Sequence, residues 1–198
     1  MRRPLLFGIA GVALIALVGA ALLPRLLAEE ASYNGTIVDA SGPSEEFVLE
    51  SADGEVRLSD FRGDLVVMYF GYTNCPDFCP ATLSKLAKVR DRLGDDAERV
   101  QVLMISVDPE RDNPERLKQY MSAFDERFVG LTGSEETLRS VTSQFGIFFQ
   151  KAEGGAASGY SVDHTTTLVV LDKDGRQRLF LSYDLTVEQV ASDLENLL

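Results

Sequence analysis

Leu65-Val-Val-Met-Tyr-Phe-Gly71-Tyr-Thr-Asn-Cys75-Pro-Asp-Phe-Cys79-Pro80 decides how this chain folds. Its first six residues are apolar enough to form a strand covered on both faces. After Cys79, the apolar positions Leu83, Leu86, Ala87, Val89 and Leu93 recur at helical spacing and stop at Gly94. Strand, loop and helix therefore follow directly on one another, and the loop holds both cysteines of the chain. Two sulfurs at i and i+4 can meet on one side of a loop-to-helix junction. Such a pair closes into a disulfide or binds a soft metal ion. Pro76 stiffens the loop, and Pro80 suits a helix start, where its absent N–H would have had no partner. Cys79 is expected in the first helical turn, where free N–H groups and the helix dipole favour a thiolate.

Moving outward, Glu46–Glu50 and Glu55–Leu58 alternate with period two around Ala52-Asp53-Gly54, a β-hairpin signal. Val100–Val107 reads as the next buried strand. Asn113-Pro114 caps and opens a helix with Leu117, Tyr120, Met121 and Phe124 on its core face. A shorter helix follows Thr132–Glu135, through Leu138, Val141 and Phe145. Residues 150–163, with glycines at 154, 155 and 159, lack periodicity and read as a mobile loop. Thr165–Leu171 and Arg178–Ser182 are strands around the turn Asp172–Gly175, and Thr186 with Gln189 forms a capping box for a terminal helix. This order predicts an α/β, thioredoxin-like fold: a central mixed sheet flanked by helices, with an N-terminal β-hairpin. In that architecture the strand from Thr165 runs antiparallel to Leu65–Phe70. His164, the only histidine of the 198 residues, then stands at the end where the cysteines emerge.

The N-terminus carries a separate signal. Leu5–Leu23 is uncharged and long enough to cross a bilayer, whereas a cleavable signal peptide has a shorter apolar region. Arg2 and Arg3 precede it, and Glu29 and Glu30 follow Arg25, which puts the N-terminus in the cytoplasm and exports the rest. The expected organisation is a single transmembrane anchor over 1–24, an extended tether over 25–44 and a folded domain over 45–198. In a bacterium this is a single-pass inner-membrane protein with a periplasmic domain. The chain carries a net charge of −12, an acidity that excludes nucleic acid as a partner and favours solubility, cations or basic protein surfaces.

In an oxidising compartment two cysteines ordinarily mean a structural disulfide, but a bridge over three residues removes little entropy from the unfolded chain. Two thiolates and one neutral imidazole make a soft three-coordinate set suited to copper, as Cu(I) or Cu(II). Zinc normally requires a fourth donor in a structural site. The bland alternative for His164 is an ordinary hydrogen-bonded histidine. Asp163 could bond its ring or cap a turn, Asp77 could donate oxygen, dock a partner or simply occupy the loop, and Met68, Met104 and Met121 fall on core positions. The competing chemistry is thiol–disulfide exchange. Thioredoxin-type motifs, however, space their cysteines by two residues and place a cis-proline opposite them, and this chain has no proline after Pro114.

Tyr69–Pro80, Ser106-Val-Asp-Pro-Glu-Arg-Asp112, Val162-Asp-His-Thr165 and Asp172-Lys-Asp-Gly175 together resemble the Sco/SenC family of copper chaperones. The resemblance runs from about Phe47 to the C-terminus and includes the N-terminal anchor. It implies a membrane-tethered domain holding one copper ion through Cys75, Cys79 and His164, with Cys75 and Cys79 also serving as a redox dithiol. It further implies a role in assembling the dinuclear copper centre of cytochrome c oxidase subunit II, by copper delivery or by reducing that subunit's cysteines. Other copper chaperones or thiol reductants would be its remaining partners. Asn74 stands where the family usually has His or Ser, and Asp108–Asp112 is expected to serve as a structural strand-to-helix connection.

Overall fold

The computed structural model describes residues 32–153 and 159–198. The predicted anchor lies outside them, as do residues 25–31 of the tether and the stretch 154–158. Among the described residues no helix is long and apolar enough to cross a membrane. The elements are β1 (Thr36–Ile37), β2 (Val48–Ser51), β3 (Gly54–Arg57), β4 (Leu65–Gly71), α1 (Phe78–Leu93), β5 (Val100–Ser106), α2 (Pro114–Ser122) and β6 (Val129–Leu131). They continue with α3 (Glu135–Gln144), β7 (Phe149–Glu153), β8 (Tyr160–His164), β9 (Leu168–Leu171), β10 (Gln177–Leu181) and α4 (Val187–Glu195).

Six strands form the central mixed sheet in the order β1-β10-β9-β4-β5-β6. β4 and β5, the two longest strands among the described residues, pair in parallel from Leu65↔Val100 to Gly71↔Ser106. Every residue of β4 is buried, as a strand covered on both faces requires. β9 runs antiparallel to β4 with Met68 opposite Val169, so β9 begins at the end where β4 finishes. The hairpin β2–β3 forms where its period-two pattern predicts. α1 packs against α4, and α2 against β6 and β2. The caps act as read from the sequence: the Asn113 side chain accepts from Arg116 N at 2.8 Å, and Thr186 and Gln189 close a reciprocal capping box. Met68, Met104 and Met121 are fully buried packing residues.

Three features differ from the sequence reading. Val129–Leu131 is a short edge strand paired with β5, too brief to show a period. The expected mobile loop is largely a hairpin, with β7 and β8 paired from Phe149↔His164 to Glu153↔Tyr160. Its ladder forms a two-stranded sheet of its own, so no long apolar run announces it. His164 consequently ends β8, with Thr165–Thr167 between it and the first residue of β9.

At the N-terminal side, the compact unit starts at Tyr33. β1 pairs with β10, and the buried Asp193 carboxylate of α4 accepts the backbone N–H groups of Asn34 and Gly35, each at 2.8 Å. These charge-assisted bonds compensate the desolvation of the carboxylate and fasten this stretch of chain to the domain.

The core between the sheet and its helices makes a direct prediction. Leu103 of β5 is fully buried. Leu103→Ala is expected to destabilise the domain by about 2–5 kcal/mol, read from the midpoint of urea unfolding.

Candidate metal and dithiol centre

β4 can present reactive groups only beyond its C-terminal end, because its whole length is enclosed. There Gly71 leads into the cysteine loop, and Val107 N donates to Gly71 O at 2.9 Å, holding the strand end against β5. The residue must be glycine: a Cβ at this position would lie 2.9 Å from Cys79 Sγ and 2.7 Å from Tyr69 Cε1. Sequence reasoning missed Gly71, since only the tertiary packing brings the Tyr69 ring and the sulfur over it.

The structure brings Cys75, Cys79 and His164 together: Sγ, Sγ and an imidazole nitrogen lie within 4.8 Å of one another. Both cysteines are free and buried, and His164 is half-buried. Cys79 Sγ and His164 Nε2 are 3.7 Å apart. The ring is oriented by the chain itself. His164 Nδ1 lies 3.0 Å from Val162 O, so that nitrogen carries the proton and donates, leaving the Nε2 lone pair toward the sulfurs. Edge-to-face contacts with Tyr69 and Tyr72, at centroid separations of 6.3 and 5.6 Å, hold the ring plane. The ring-orienting role open to Asp163 thus falls to the Val162 carbonyl. Asp163 is exposed, as is Asp77, and neither belongs to the cluster of donors.

The two sulfurs are electrostatically unequal, and in the opposite sense to the sequence expectation. Cys79 is the second residue of α1, yet its sulfur tilts back into the core beneath Tyr69, whose hydroxyl donates to it at 3.2 Å. The hydrogen bond between its thiol and the Cys75 sulfur, together with burial, pushes the Cys79 thiol far up. The Cys75 sulfur instead receives a hydrogen bond from the Cys79 thiol, and it accepts the Cys79 backbone N–H at 3.4 Å. These bonds outweigh desolvation and lower the Cys75 pKa to about 5. The free N–H groups of the first turn therefore serve the cysteine before the helix. Tyr69 is fully buried, and burial raises its pKa, so it stays a neutral donor between Cys79 Sγ and His164 Nε2, 3.5 Å from the latter.

This pocket of donors can do two things. Two sulfurs and an imidazole nitrogen suit a soft ion that tolerates three ligands, and the pair of free thiols can exchange with another disulfide. Two outcomes test the geometry. Gly71→Ala is expected to cost about 1–3 kcal/mol in urea unfolding and to displace the Cys79 sulfur, read as altered alkylation of that residue. Because a lowered pKa extends thiolate character to lower pH, iodoacetamide labelling of reduced Cys75 should rise through about pH 5 and level off by neutrality. Cys79 should stay unreactive over that range. A Cys75 midpoint at the ordinary thiol value would contradict the hydrogen-bond pattern.

Comparison with known proteins places these features in a family. The model of the SCO1/SenC family matches residues 39–198. The SCO2-like protein of Rickettsia prowazekii is 34% identical over 152 residues, covering 76% of this chain and 74% of that one. The solution structure of apo Sco1 from Thermus thermophilus is 42% identical with a TM-score of 0.77, over 85% of this chain and 99% of that one. Bradyrhizobium japonicum ScoI, solved with copper bound, is 34% identical with a TM-score of 0.72, over 79% of this chain and all of its own. With a thioredoxin-like mixed sheet and a family match over nearly its whole described length, this chain belongs to the SCO1/SenC family.

Proposed function

We propose that this protein is a copper chaperone in which Cys75, Cys79 and His164 hold one copper ion, as Cu(I) or Cu(II), for delivery. The observation that carries this reading is the convergence of two sulfurs and a correctly oriented Nε2 within 4.8 Å. Soft thiolates with a neutral imidazole favour copper over harder ions, and a three-donor site leaves room for a recipient's ligand to enter. The receiving centre in this reading is the dinuclear copper site of cytochrome c oxidase subunit II. Other copper chaperones or thiol reductants would load and reduce the site.

The depressed pKa of Cys75 supports a second activity of the same sulfurs, reduction of a partner disulfide. The Cys75 thiolate attacks one partner sulfur, forming a mixed disulfide and releasing a partner thiolate. The Cys79 sulfur then attacks Cys75 Sγ and displaces the partner's second sulfur, and the Cys79 proton passes to that departing thiolate. The partner gains two electrons and becomes a dithiol, and Cys75–Cys79 is left as a disulfide. Copper binding and this exchange exclude each other at any instant, because both need the same sulfurs.

Residues 1–24 act in this reading as a single-pass inner-membrane anchor with a cytoplasmic N-terminus, the chain from 25 up to the start of the compact unit at Tyr33 as the tether, and the rest as a periplasmic domain. The uncharged run Leu5–Leu23 supports the anchor, and resistance of the full-length protein to carbonate extraction tests it.

The deciding experiment is His164→Ala. Loss of a direct ligand is expected to weaken copper affinity about 100-fold or more and to change the sulfur-to-Cu(II) charge-transfer absorption. The dithiol's equilibrium with glutathione should change little. Unchanged copper affinity would leave only disulfide exchange. Cys75→Ser with Cys79→Ser should still fold, because the cysteines are unbridged, while losing both activities.

A further inference from the structure

The connection Ser106–Asn113 between β5 and α2 contains two carboxylates withdrawn from water: Asp108 is 0% and Asp112 is 1% exposed. Buried charge of this kind costs several kcal/mol unless its partners are well placed, and the positions of those partners are informative. Asp108 pairs with the Arg111 guanidinium and accepts the Tyr160 hydroxyl at 2.7 Å. Arg111 in turn donates to Tyr160 O at 3.1 Å and lies 3.7 Å from the centre of the Tyr160 ring. Tyr160 is the first residue of β8, the strand that ends at His164. Arg111 also lies over Tyr72, whose hydroxyl accepts Val162 N at 3.3 Å, and Val162 O is the group that orients the imidazole.

Asp112 faces the other way. Its carboxylate accepts Thr73 N at 3.0 Å, the Thr73 hydroxyl at 2.5 Å and the Ser106 hydroxyl at 2.7 Å. Thr73 lies in the loop just before Cys75. Arg116 completes this side, bonding the Thr73 hydroxyl at 2.6 Å and the Asn74 side chain.

We propose that Asp108, Arg111 and Asp112 are positioning residues that form a two-armed brace, one arm holding the imidazole-bearing hairpin and the other the sulfur-bearing loop at a set separation. The brace is needed because β7–β8 is a two-stranded sheet separate from the central one. A two-stranded hairpin is marginal by itself, so His164 keeps its place through side-chain attachments, of which Tyr160 is the best anchored. Cys75 and Cys79, by contrast, are tied to β4 and α1. Weakening the Tyr160 arm would withdraw the imidazole and leave a two-sulfur site, without unfolding the domain. The inference rests on the copper reading for its consequence but not for its geometry.

The test compares the full-length protein with Tyr160→Phe, which deletes the hydroxyl and keeps the ring, and with Asp112→Asn. In the copper-free state, Tyr160→Phe is expected to speed amide hydrogen exchange about tenfold in β7–β8, Val162 included, while β4 and β5 exchange as before. Its copper affinity should fall about tenfold, with weakened nitrogen hyperfine coupling from the Cu(II)-bound imidazole, and its glutathione equilibrium should stay within about twofold. Asp112→Asn should shift the alkylation profile of Cys75 and leave hairpin exchange alone. Arg111→Lys, which keeps the charge but loses the two-pronged grip, should reproduce the Tyr160→Phe pattern and serves if that variant expresses poorly. Unchanged hairpin exchange, or equal acceleration of exchange throughout the domain, overturns the brace. If the unsubstituted protein binds no copper, the chaperone reading falls, and the copper-free exchange comparison still decides the brace.

Discussion

Complete enclosure of β4 is the constraint on which the rest depends. A parallel strand buried on both faces has no lateral surface for chemistry, so reactive groups can stand only where the chain leaves the sheet. Gly71 is the point of exit, and its missing side chain is the space that the Tyr69 ring and Cys79 sulfur occupy. The same β4–β5 pairing that stabilises the fold thus places one sulfur beneath a buried phenol, and it carries the following connection, with Asp108 and Asp112, alongside the cysteine loop.

From that geometry the inequality of the sulfurs follows. A helix start offers N–H groups pointing out of its first turn, and the atom in front of them benefits, not the atom carried inside the turn. Cys75 occupies the front position and becomes the thiolate; Cys79 is carried inward and stays protonated. A pair poised in this way suits nucleophilic attack by the first sulfur followed by resolution by the second, and it also suits stepwise engagement of a soft cation. Tyr69, neutral and buried, touches Cys79 and His164 and so couples the two sides of the site.

The histidine is held by different means. Its hairpin lies apart from the central sheet, and its ring is oriented by a carbonyl two residues earlier and by two tyrosine edges. A rigid sulfur side facing a more lightly fastened imidazole side is an arrangement in which a third donor can be withdrawn at modest cost. The exposed pair between Lys151 of the hairpin and Glu110 contributes little to that fastening, because surface ion pairs are weak; the part-buried bond from Tyr160 to the fully buried Asp108 carboxylate contributes more.

Several features were legible before any coordinates. The continuous apolar runs of β4 and β5, the alternating hairpin β2–β3 and the caps at Asn113 and Thr186 are local patterns, set by periodicity and by hydrogen bonds between near neighbours. The spacing of Cys75 and Cys79 and the lone His164 marked the site, because those residue types are scarce in this chain and chemically specific. What only the tertiary structure decided depends on groups distant in sequence meeting in space. β6 and the β7–β8 hairpin exist through pairing rather than through pattern. The ring orientation comes from Val162, the crowding at Gly71 from Tyr69 and Cys79, and the purpose of Asp108–Asp112 from Tyr160 and Thr73. The thiolate went to Cys75 because burial and hydrogen-bond direction, which no spacing encodes, outweigh nominal position on the helix.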